Sequence, residues 1–334
     1  MKKYVVIPVY KEAENLKDLL PLLRDFNVII VDDDSKDGTE RICSNFKNVK
    51  LIVRKNQKGL ASAVVYGISS IKEKNAEIVV ADADFEHDYS RIKDVFKLLE
   101  KNDFVECVKS GKRLWNRGII SAGAKNLLYL LVPEAKWLQD PMSGFFGFRL
   151  ASVDFKKVKP IGYKIMLEIF INLKKESKKK HLVYNYGYRK HGKSKLKINI
   201  IMEFLQQVLR LNKYRVLKFA FVGFIGLLVN EFIAFLFHPY IPIYIDFLIS
   251  AEFGVISNFL LNHFFTFSRR TKAITAFPRY NFVALIGISI DVVIATLLSF
   301  RIEYLIANFI GIIVAFAFNY VLSEKFAWVV HEKK

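Results

Sequence analysis

The sequence predicts an α/β domain followed by an all-α membrane domain of four helices, and three observations predict it. Short β-branched runs alternate with helical spacing over the first hundred residues. Four apolar stretches, each long enough to cross a bilayer, fill the chain from Val216 to Val330. Basic residues crowd the junction between the two regions. A chain of 334 residues has room for two domains. Half of it is hydrophobic, but unevenly so: up to about Gln206 the apolar runs are short and broken by charge.

In the first region, strands are expected at Tyr4–Pro8, Val28–Val31, Val49–Val53, Glu77–Ala81 and Phe104–Val108. Helices are expected at Glu14–Phe26, Gly38–Asn45, Leu60–Lys74 and Ser90–Lys101. This alternation predicts a parallel sheet with helices on both faces. Ligands of such sheets gather at the carboxyl ends of the strands. Tyr10 and Glu12 follow the first strand, Asp32, Asp33 and Asp34 the second, Asp82 and Asp84 the fourth. Carboxylates at i and i+2 on a strand end can reach one divalent cation from one side. Its open positions then take diphosphate oxygens and water, as Mg²⁺ prefers. A solvated acidic turn is the plainer alternative; two acid-tipped strands on one sheet edge weigh against it. Neither G-x-G-x-x-G nor G-x-x-x-x-G-K-[ST] follows the first strand, where Pro8-Val9-Tyr10-Lys11-Glu12 stands. That argues against dinucleotide dehydrogenases and P-loop enzymes, and leaves a diphosphate to metal and basic side chains.

The apolar stretches expected to span are Val216–Phe237, Ile243–Phe267, Phe282–Phe300 and Tyr304–Val330. Between Lys174 and Lys218, inclusive, fourteen Lys or Arg stand against two acids. The segment 268–280 carries Arg269, Arg270, Lys272 and Arg279, whereas His238–Asp246 has no Lys or Arg. By the positive-inside rule, the N-terminal domain, the basic 268–280 loop and the C-terminus face the cytoplasm. The opening Met1-Lys2-Lys3 and its short apolar run do not read as a signal peptide. Two cysteines, Cys43 and Cys107, are too few for a disulfide framework. Basic residues concentrated at a membrane boundary have lipid headgroups as nearer partners than nucleic acid, so no nucleic acid is expected. Trp115–Val132 and Leu196–Leu211 look amphipathic and interfacial. Lys218–Gly226 aligns without gaps with Arg279–Gly287, and the same register pairs Asn230 with Asp291 and Asn258 with Asn319. Two repeated, parallel helical hairpins follow. The domains expected are thus 1–195, an interfacial helix over 196–215, and a membrane domain over 216–334.

Five motifs in order carry a family likeness: Ile7-Pro8-Val9-Tyr10-Lys11-Glu12, Val31-Asp32-Asp33-Asp34-Ser35-Lys36-Asp37-Gly38-Thr39, Lys58-Gly59-Leu60-Ala61-Ser62-Ala63, Asp82-Ala83-Asp84 and Asp140-Pro141-Met142-Ser143-Gly144-Phe145-Phe146. The chain resembles the family 2 glycosyltransferases of GT-A (Rossmann-like) fold. Among these it looks like the dolichyl-phosphate mannose synthases that carry a four-helix, GtrA-like membrane domain. The resemblance implies that Pro8, Tyr10, Glu12, Val31 and Asp33 hold the nucleoside of GDP-mannose. It implies that Asp82, Ala83 and Asp84 hold metal and diphosphate, with Mg²⁺ or Mn²⁺ as cofactor. Glu86 stands at the third metal position, usually Gln. Arg189 and Lys195 match basic residues that reach phosphates, and Lys109 stands where many relatives have Arg. Arg117 and Ser121 match an acceptor-loop pair.

The acceptor so implied is dolichyl or another polyprenyl phosphate in the lipid bilayer. A phosphate monoester is largely dianionic at neutral pH, so it needs alignment and charge relief more than a general base. Arg117, Arg189 and Lys195 would supply these, and Asp140 would orient a sugar hydroxyl or the acceptor loop. In-line attack inverts the anomeric centre, giving a β-linked product. The catalytic set implied is Asp84, Asp140 and Arg117. The alternatives are a UDP-glucose-dependent enzyme of the same class, and a lipid-linked sugar flippase whose soluble domain only binds.

Overall fold

In the computed structural model of the chain, residues 1–110, 115–185, 187 and 198–329 are described; the side chains of 115–121 and 198 lie outside that description. The chain divides into two compact units, Met1–Val208 and Leu209–Lys334.

In the first unit the strands are β1 (Lys2–Val9), β2 (Asn27–Asp32), β3 (Val49–Val53), β4 (Ala76–Val80), β5 (Phe104–Ser110), β6 (Phe146–Arg149) and β7 (Lys179–Asn185). Among the described residues they form one sheet in the order β3-β2-β1-β4-β6-β5-β7. The helices are α1 (Ala13–Leu19), α2 (Thr39–Cys43), α3 (Leu60–Ser69), α4 (Ile92–Leu99), α5 (Trp115–Leu131), α6 (Ile165–Ile171) and α7 (Ile198–Leu211), whose last turn enters the second unit. β1, β2 and β4 are nearly continuous apolar runs because helices cover both faces. Val5, Ile7, Val28, Ile30 and Val79 lie fully or almost fully buried with Leu16, Leu19, Phe96 and Leu99 in one core. Burying each such side chain contributes roughly 1.5–3 kcal/mol. α4 shows how periodicity decides a face: Ile92, Val95, Phe96 and Leu99 point inward at helical spacing. The helix expected to reach Phe26 stops at Leu19, since Pro21 turns the next residues into a 3₁₀ turn, Leu20–Leu23.

One topological fact positions everything that follows. β6 was not legible in the sequence, and it runs antiparallel between β4 and β5, with Val80 facing Phe146 and Glu106 facing Phe146. Its first residue therefore lies at the edge where β4 and β5 end. The segment Asp140–Phe145 that feeds β6 is delivered to that edge.

In the second unit, α8 (Arg215–Phe237), α9 (Ile243–Leu261), α10 (Ala273–Ser299) and α11 (Tyr304–Leu322) follow. With the π-helical turns Asn262–Thr266 and Ser323–Ala327 that extend α9 and α11, four helices have the length and apolar composition to cross a bilayer. They expose Phe221, Phe224, Leu228, Phe232, Leu285 and Phe309, a surface suited to lipid and not to water. The third helix corrects the sequence expectation. It starts at Ala273 and not Phe282, so most of the supposed 268–280 loop is helical, and Pro278 is accommodated inside the helix. Pro278 is the sixth residue of the helix and forfeits the one amide bond to the Ile274 carbonyl, a small part of a 27-residue ladder.

The sequence repeat reappears as repeated packing. A side chain at Gly226 would bring its Cβ to 2.1 Å from Asn258 Oδ1, and one at Gly287 to 2.1 Å from Asn319 Oδ1. Each glycine thus lets a neighbouring asparagine lie flat against the helix backbone. Gly223, one turn away, has nothing within 4 Å. Gly226→Ala and Gly287→Ala should each cost about 1–3 kcal/mol of stability, while Gly223→Ala should leave it unchanged. Thermal unfolding midpoints in detergent will tell the three apart.

Candidate active site

The carboxyl edge of β2, β1 and β4 gathers the acids because these strands are neighbours. At one end is a cavity of about 660 Å³ lined by Tyr10, Lys11, Asp33, Asp34, Ser35, Lys36, Asp37, Asn56, Gln57 and Lys58. Four of these, Lys11, Asp34, Lys36 and Asn56, are non-glycine residues at positive φ. Left-handed backbone costs roughly 1–2 kcal/mol per residue, and such strain concentrates where function shapes a loop. Tyr10 is 44% exposed, with the Lys58 ammonium 4.8 Å and the Lys11 ammonium 5.7 Å from its ring centre. It offers a flat aromatic face beside two cations.

Asp33 does not reach freely into this cavity. One carboxylate oxygen accepts from Arg54 Nε at 2.8 Å and from Nη2, and the other accepts from the Gly59 amide at 2.9 Å. Arg54 itself is 4% exposed and also donates to the Gly59 carbonyl at 3.1 Å. The pair therefore fixes the loop carrying Lys58 and Gly59 against β2. Arg54 was not singled out in the sequence, where it is one basic residue among many. Pro8 and Val31 face each other in register on β1 and β2, both buried, so they shape the floor and do not line the cavity. Glu12 stands at the N-cap position of α1 without a capping bond to its amides, and its carboxylate accepts from Asn15 Nδ2.

Beyond β4, the Asp82–Asp84 turn is stitched by side chains that the motif alone does not reveal. The Tyr89 hydroxyl donates to the Asp82 carbonyl at 2.5 Å and accepts from the Phe85 amide at 3.2 Å. Phe85 sits at φ +63°. Asp84, 6% exposed, accepts the Glu86 amide at 3.2 Å. His87, 4% exposed, bridges Tyr184 Oη at 2.9 Å and Asp82 Oδ2 at 3.3 Å. Gly144 packs on the same carboxylate: a Cβ there would lie 2.3 Å from Asp82 Oδ2, so only glycine fits without moving the aspartate. Asp82 Oδ1 is left buried with no hydrogen-bond partner. Burial pushes the Asp82 carboxyl up, but the His87 bond and the charges of His87, Lys164 and Lys109 hold it below the usual aspartate range. A charged carboxylate with one oxygen tethered and the other open suits a divalent cation.

Among the described residues, no three His, Cys, Asp or Glu side chains gather closely enough to enclose a metal. The expected trio of Asp82, Asp84 and Glu86 does not stand as such a group here. Glu86 engages the turn through its backbone, accepting the Gly187 amide at 3.1 Å. Mg²⁺ on a nucleotide needs only one or two carboxylates, since phosphates and water complete its shell. Ala83 is 3% exposed and contributes no more than backbone.

The third wall is the Asp140–Phe145 loop. Lys109, at the end of β5, lies 4.0 Å from Asp140 Oδ2, and Lys164, just before α6, donates to the Met142 carbonyl at 2.9 Å. Lys164 is a second cation that the sequence reading missed. Glu106, fully buried on β5, accepts the amides of Gln139 at 2.9 Å and Asp140 at 2.7 Å. Arg117 and Ser121 fall in α5, but their side chains lie outside the described residues, as do Arg189 and Lys195. Gly187, two residues before Arg189 in the sequence, is docked on Glu86.

A mostly parallel sheet with an acidic, cation-flanked edge, in a chain bearing four bilayer-length helices, defines a membrane-anchored transferase of GT-A type. The glycosyl transferase family 2 model matches residues 4–154, and the GtrA/DPMS transmembrane domain model matches residues 218–328. A dolichol-phosphate mannosyltransferase of Pyrococcus furiosus is 34% identical over 355 residues, covering 98% of this chain and 99% of its own. One from Saccharomyces cerevisiae is 29% identical, covering 63% of this chain and 87% of its own. Among solved structures, glucosyl-3-phosphoglycerate synthase from Mycobacterium tuberculosis, with Mg²⁺ and UDP, superimposes with a TM-score of 0.51. It is 16% identical and covers 64% of this chain and 79% of its own, a likeness of fold. The chain belongs to the dolichol-phosphate mannosyltransferase family of glycosyltransferases, in the form that joins a family 2 catalytic domain to a GtrA/DPMS membrane domain.

Glu106 has a thermodynamic signature. Burial pushes its carboxyl up to about 7, against the Gln139 and Asp140 amides that favour its charge. Its pKa in the folded chain lies above the ordinary 4.5. Its contribution to stability is therefore full below that value and is lost as pH rises through about 7. Relative to Glu106→Gln, the wild-type unfolding midpoint should fall steadily from about pH 5 to about pH 8. A constant difference would mean that Glu106 ionises as an ordinary glutamate.

Proposed function

We propose that this chain transfers mannose from GDP-mannose to the phosphate of a polyprenyl lipid such as dolichyl phosphate, with inversion, giving a β-linked mannosyl lipid phosphate and GDP. The observation that carries the reading is the half-tethered Asp82 carboxylate, on the same sheet edge as a cavity of about 660 Å³, in a chain that continues into four bilayer-length helices. The mannosyltransferase names of the relatives favour mannose over glucose.

Tyr10 offers its face to the guanine, and the Asp33–Arg54 pair holds the loop that carries Lys58 beside it. Asp82 and Asp84 would hold Mg²⁺ or Mn²⁺, which when bound draws charge from the diphosphate leaving group. Lys109 and Lys164 lie on the opposite wall and offset negative charge at the same edge. The acceptor phosphate is already a dianion, so proton abstraction is not the difficulty. Repulsion from the donor is, and Arg117, Arg189 and Lys195 relieve it while aligning the attack. Ser121 hydrogen-bonds the acceptor phosphate beside Arg117, and Asp140 orients a sugar hydroxyl. The charge asymmetry of the loops puts the catalytic domain, the basic 268–280 segment and the C-terminus on the cytoplasmic side. The amphipathic stretches around α5 and α7 lie in the headgroup plane, where the lipid phosphate is.

Purified full chain, incubated with Mg²⁺ or Mn²⁺, polyprenyl phosphate and radiolabelled GDP-mannose, should yield label in the lipid extract. Label from UDP-glucose alone would overturn the donor assignment, and label from neither would overturn transfer. Asp84→Ala should lower turnover by about 100-fold or more with the protein still folded; near-wild-type turnover would refute the metal assignment.

A further inference from the structure

The loop that presents Asp140 is held almost entirely through its backbone. Lys125 Nζ donates to the Gln139 carbonyl at 2.8 Å, the Tyr129 hydroxyl donates to the Leu138 carbonyl, and Lys164 holds the Met142 carbonyl. These three fix carbonyls. The amides at the point where the loop turns toward the site, those of Gln139 and Asp140, are both held by Glu106, one to each carboxylate oxygen. Glu106 is fully buried on the central part of β5, three residues before Lys109. His181 Nδ1 lies 2.9 Å from its Oε2, and Trp137 stacks on the His181 ring at 3.9 Å. A single rigid strand therefore carries both the side chain that sets the backbone of Asp140 and the lysine facing its carboxylate.

We propose that Glu106 is a positioning residue for the transfer reaction: its buried carboxylate, by accepting two successive amides, aims Asp140 at the sugar and holds it opposite Lys109. The role needs two acceptor oxygens in one plane. Serine or alanine would leave a cavity and could not accept both amides, and glutamine offers one acceptor while turning its own NH₂ against the second amide. A buried charge with no full counter-ion is a costly way to fill a core position. Its retention here follows if the geometry of the loop depends on it. The proposal rests on the reading of Asp140 as a sugar-orienting group, and its test includes a measurement that needs no substrate.

At a pH of about 8, where wild-type Glu106 is largely ionised, Glu106→Gln should speed exchange at the Gln139 or Asp140 amide roughly tenfold. Exchange in β1 and β4 should stay as in wild type. In the transfer assay, kcat should fall roughly tenfold with the donor KM within about twofold. Asp140→Asn should lower kcat as well, and Glu106→Gln/Asp140→Asn should be no worse than Asp140→Asn alone, because the two act as one unit. Unchanged exchange at both amides, or kcat losses that multiply in the double variant, would overturn the proposal. Should Glu106→Gln not fold, Glu106→Asp keeps the charge but withdraws it by one methylene, and the same exchange and kcat criteria apply. If the wild type transfers from no donor, the transfer reading fails and amide exchange alone decides for or against Glu106.

Discussion

Carboxylates that end neighbouring strands repel one another, and the site is organised around answering that repulsion without cancelling it. Two like charges about 6 Å apart at an effective dielectric of about 20 cost roughly 3 kcal/mol. Asp33 is neutralised outright by Arg54 and becomes a strut. Asp82 is only half answered: His87 holds one oxygen, lysines lie nearby, and the other oxygen is left buried and open. The difference between the two aspartates separates a structural acid from a ligand-ready one. Both depend on strand order, since β2, β1 and β4 are adjacent.

The antiparallel β6 supplies what an all-parallel edge could not. Parallel strands bring only their carboxyl ends to one edge, so every loop there leaves the sheet. β6 enters at that edge, and the loop before it can be pulled tight over the ends of β4 and β5. Gly144 consequently lies on Asp82, and Asp140 faces Lys109. The Asp82 and Asp140 walls of the edge are thus built by strands of opposite direction.

Much of this was legible in the sequence, because alternating β-branched runs and acids at strand ends are local signals. β1 to β5, the acidic edge and four long apolar helices could be read that way. What could not be read is long-range. Arg54 pairs with Asp33 across 21 residues, Tyr184 reaches His87 across 97, and Glu106 reaches Asp140 across 34. No periodicity encodes such partners, and Glu106 sits in a strand whose pattern gives no reason for an acid. β6 is only four residues long and carries a glycine, too short for a pattern. The start of α10 was missed for a different reason. Pro278 reads as a helix boundary, yet it removes only one amide bond from a helix of 27 residues.

The two units meet different solvents, and each solves the burial of polar groups in its own way. In Met1–Val208, buried acids are matched by named donors: Arg54 for Asp33, His87 for Asp82, backbone amides for Glu106. In Leu209–Lys334, Asn258 and Asn319 lie against glycine backbone, with side-chain oxygens that find no partner among the described residues. A lone charge in that apolar surrounding would be far costlier than an amide. Arg215 accordingly pairs with Glu324 at 2.6 Å, and Tyr320 donates to Glu324 at 2.9 Å, at the ends of their helices and not at the centres. Asn258 and Asn319 sit within a turn of the ends of α9 and α11, and Asp291, inside α10, keeps a carboxylate oxygen against Gly311 that finds no hydrogen-bond partner among the described residues. Glycine packed against a neighbouring amide is the recurring pattern. It arises twice in this unit because the sequence itself is repeated, and the second copy departs from the first where Glu324 replaces His263. The Arg215–Glu324 ion pair joins the two hairpins, as does His263 accepting from Trp328 Nε1 at 3.1 Å. The repeat therefore keeps the glycine–asparagine packing and varies its polar chemistry at Asn230/Asp291 and His263/Glu324.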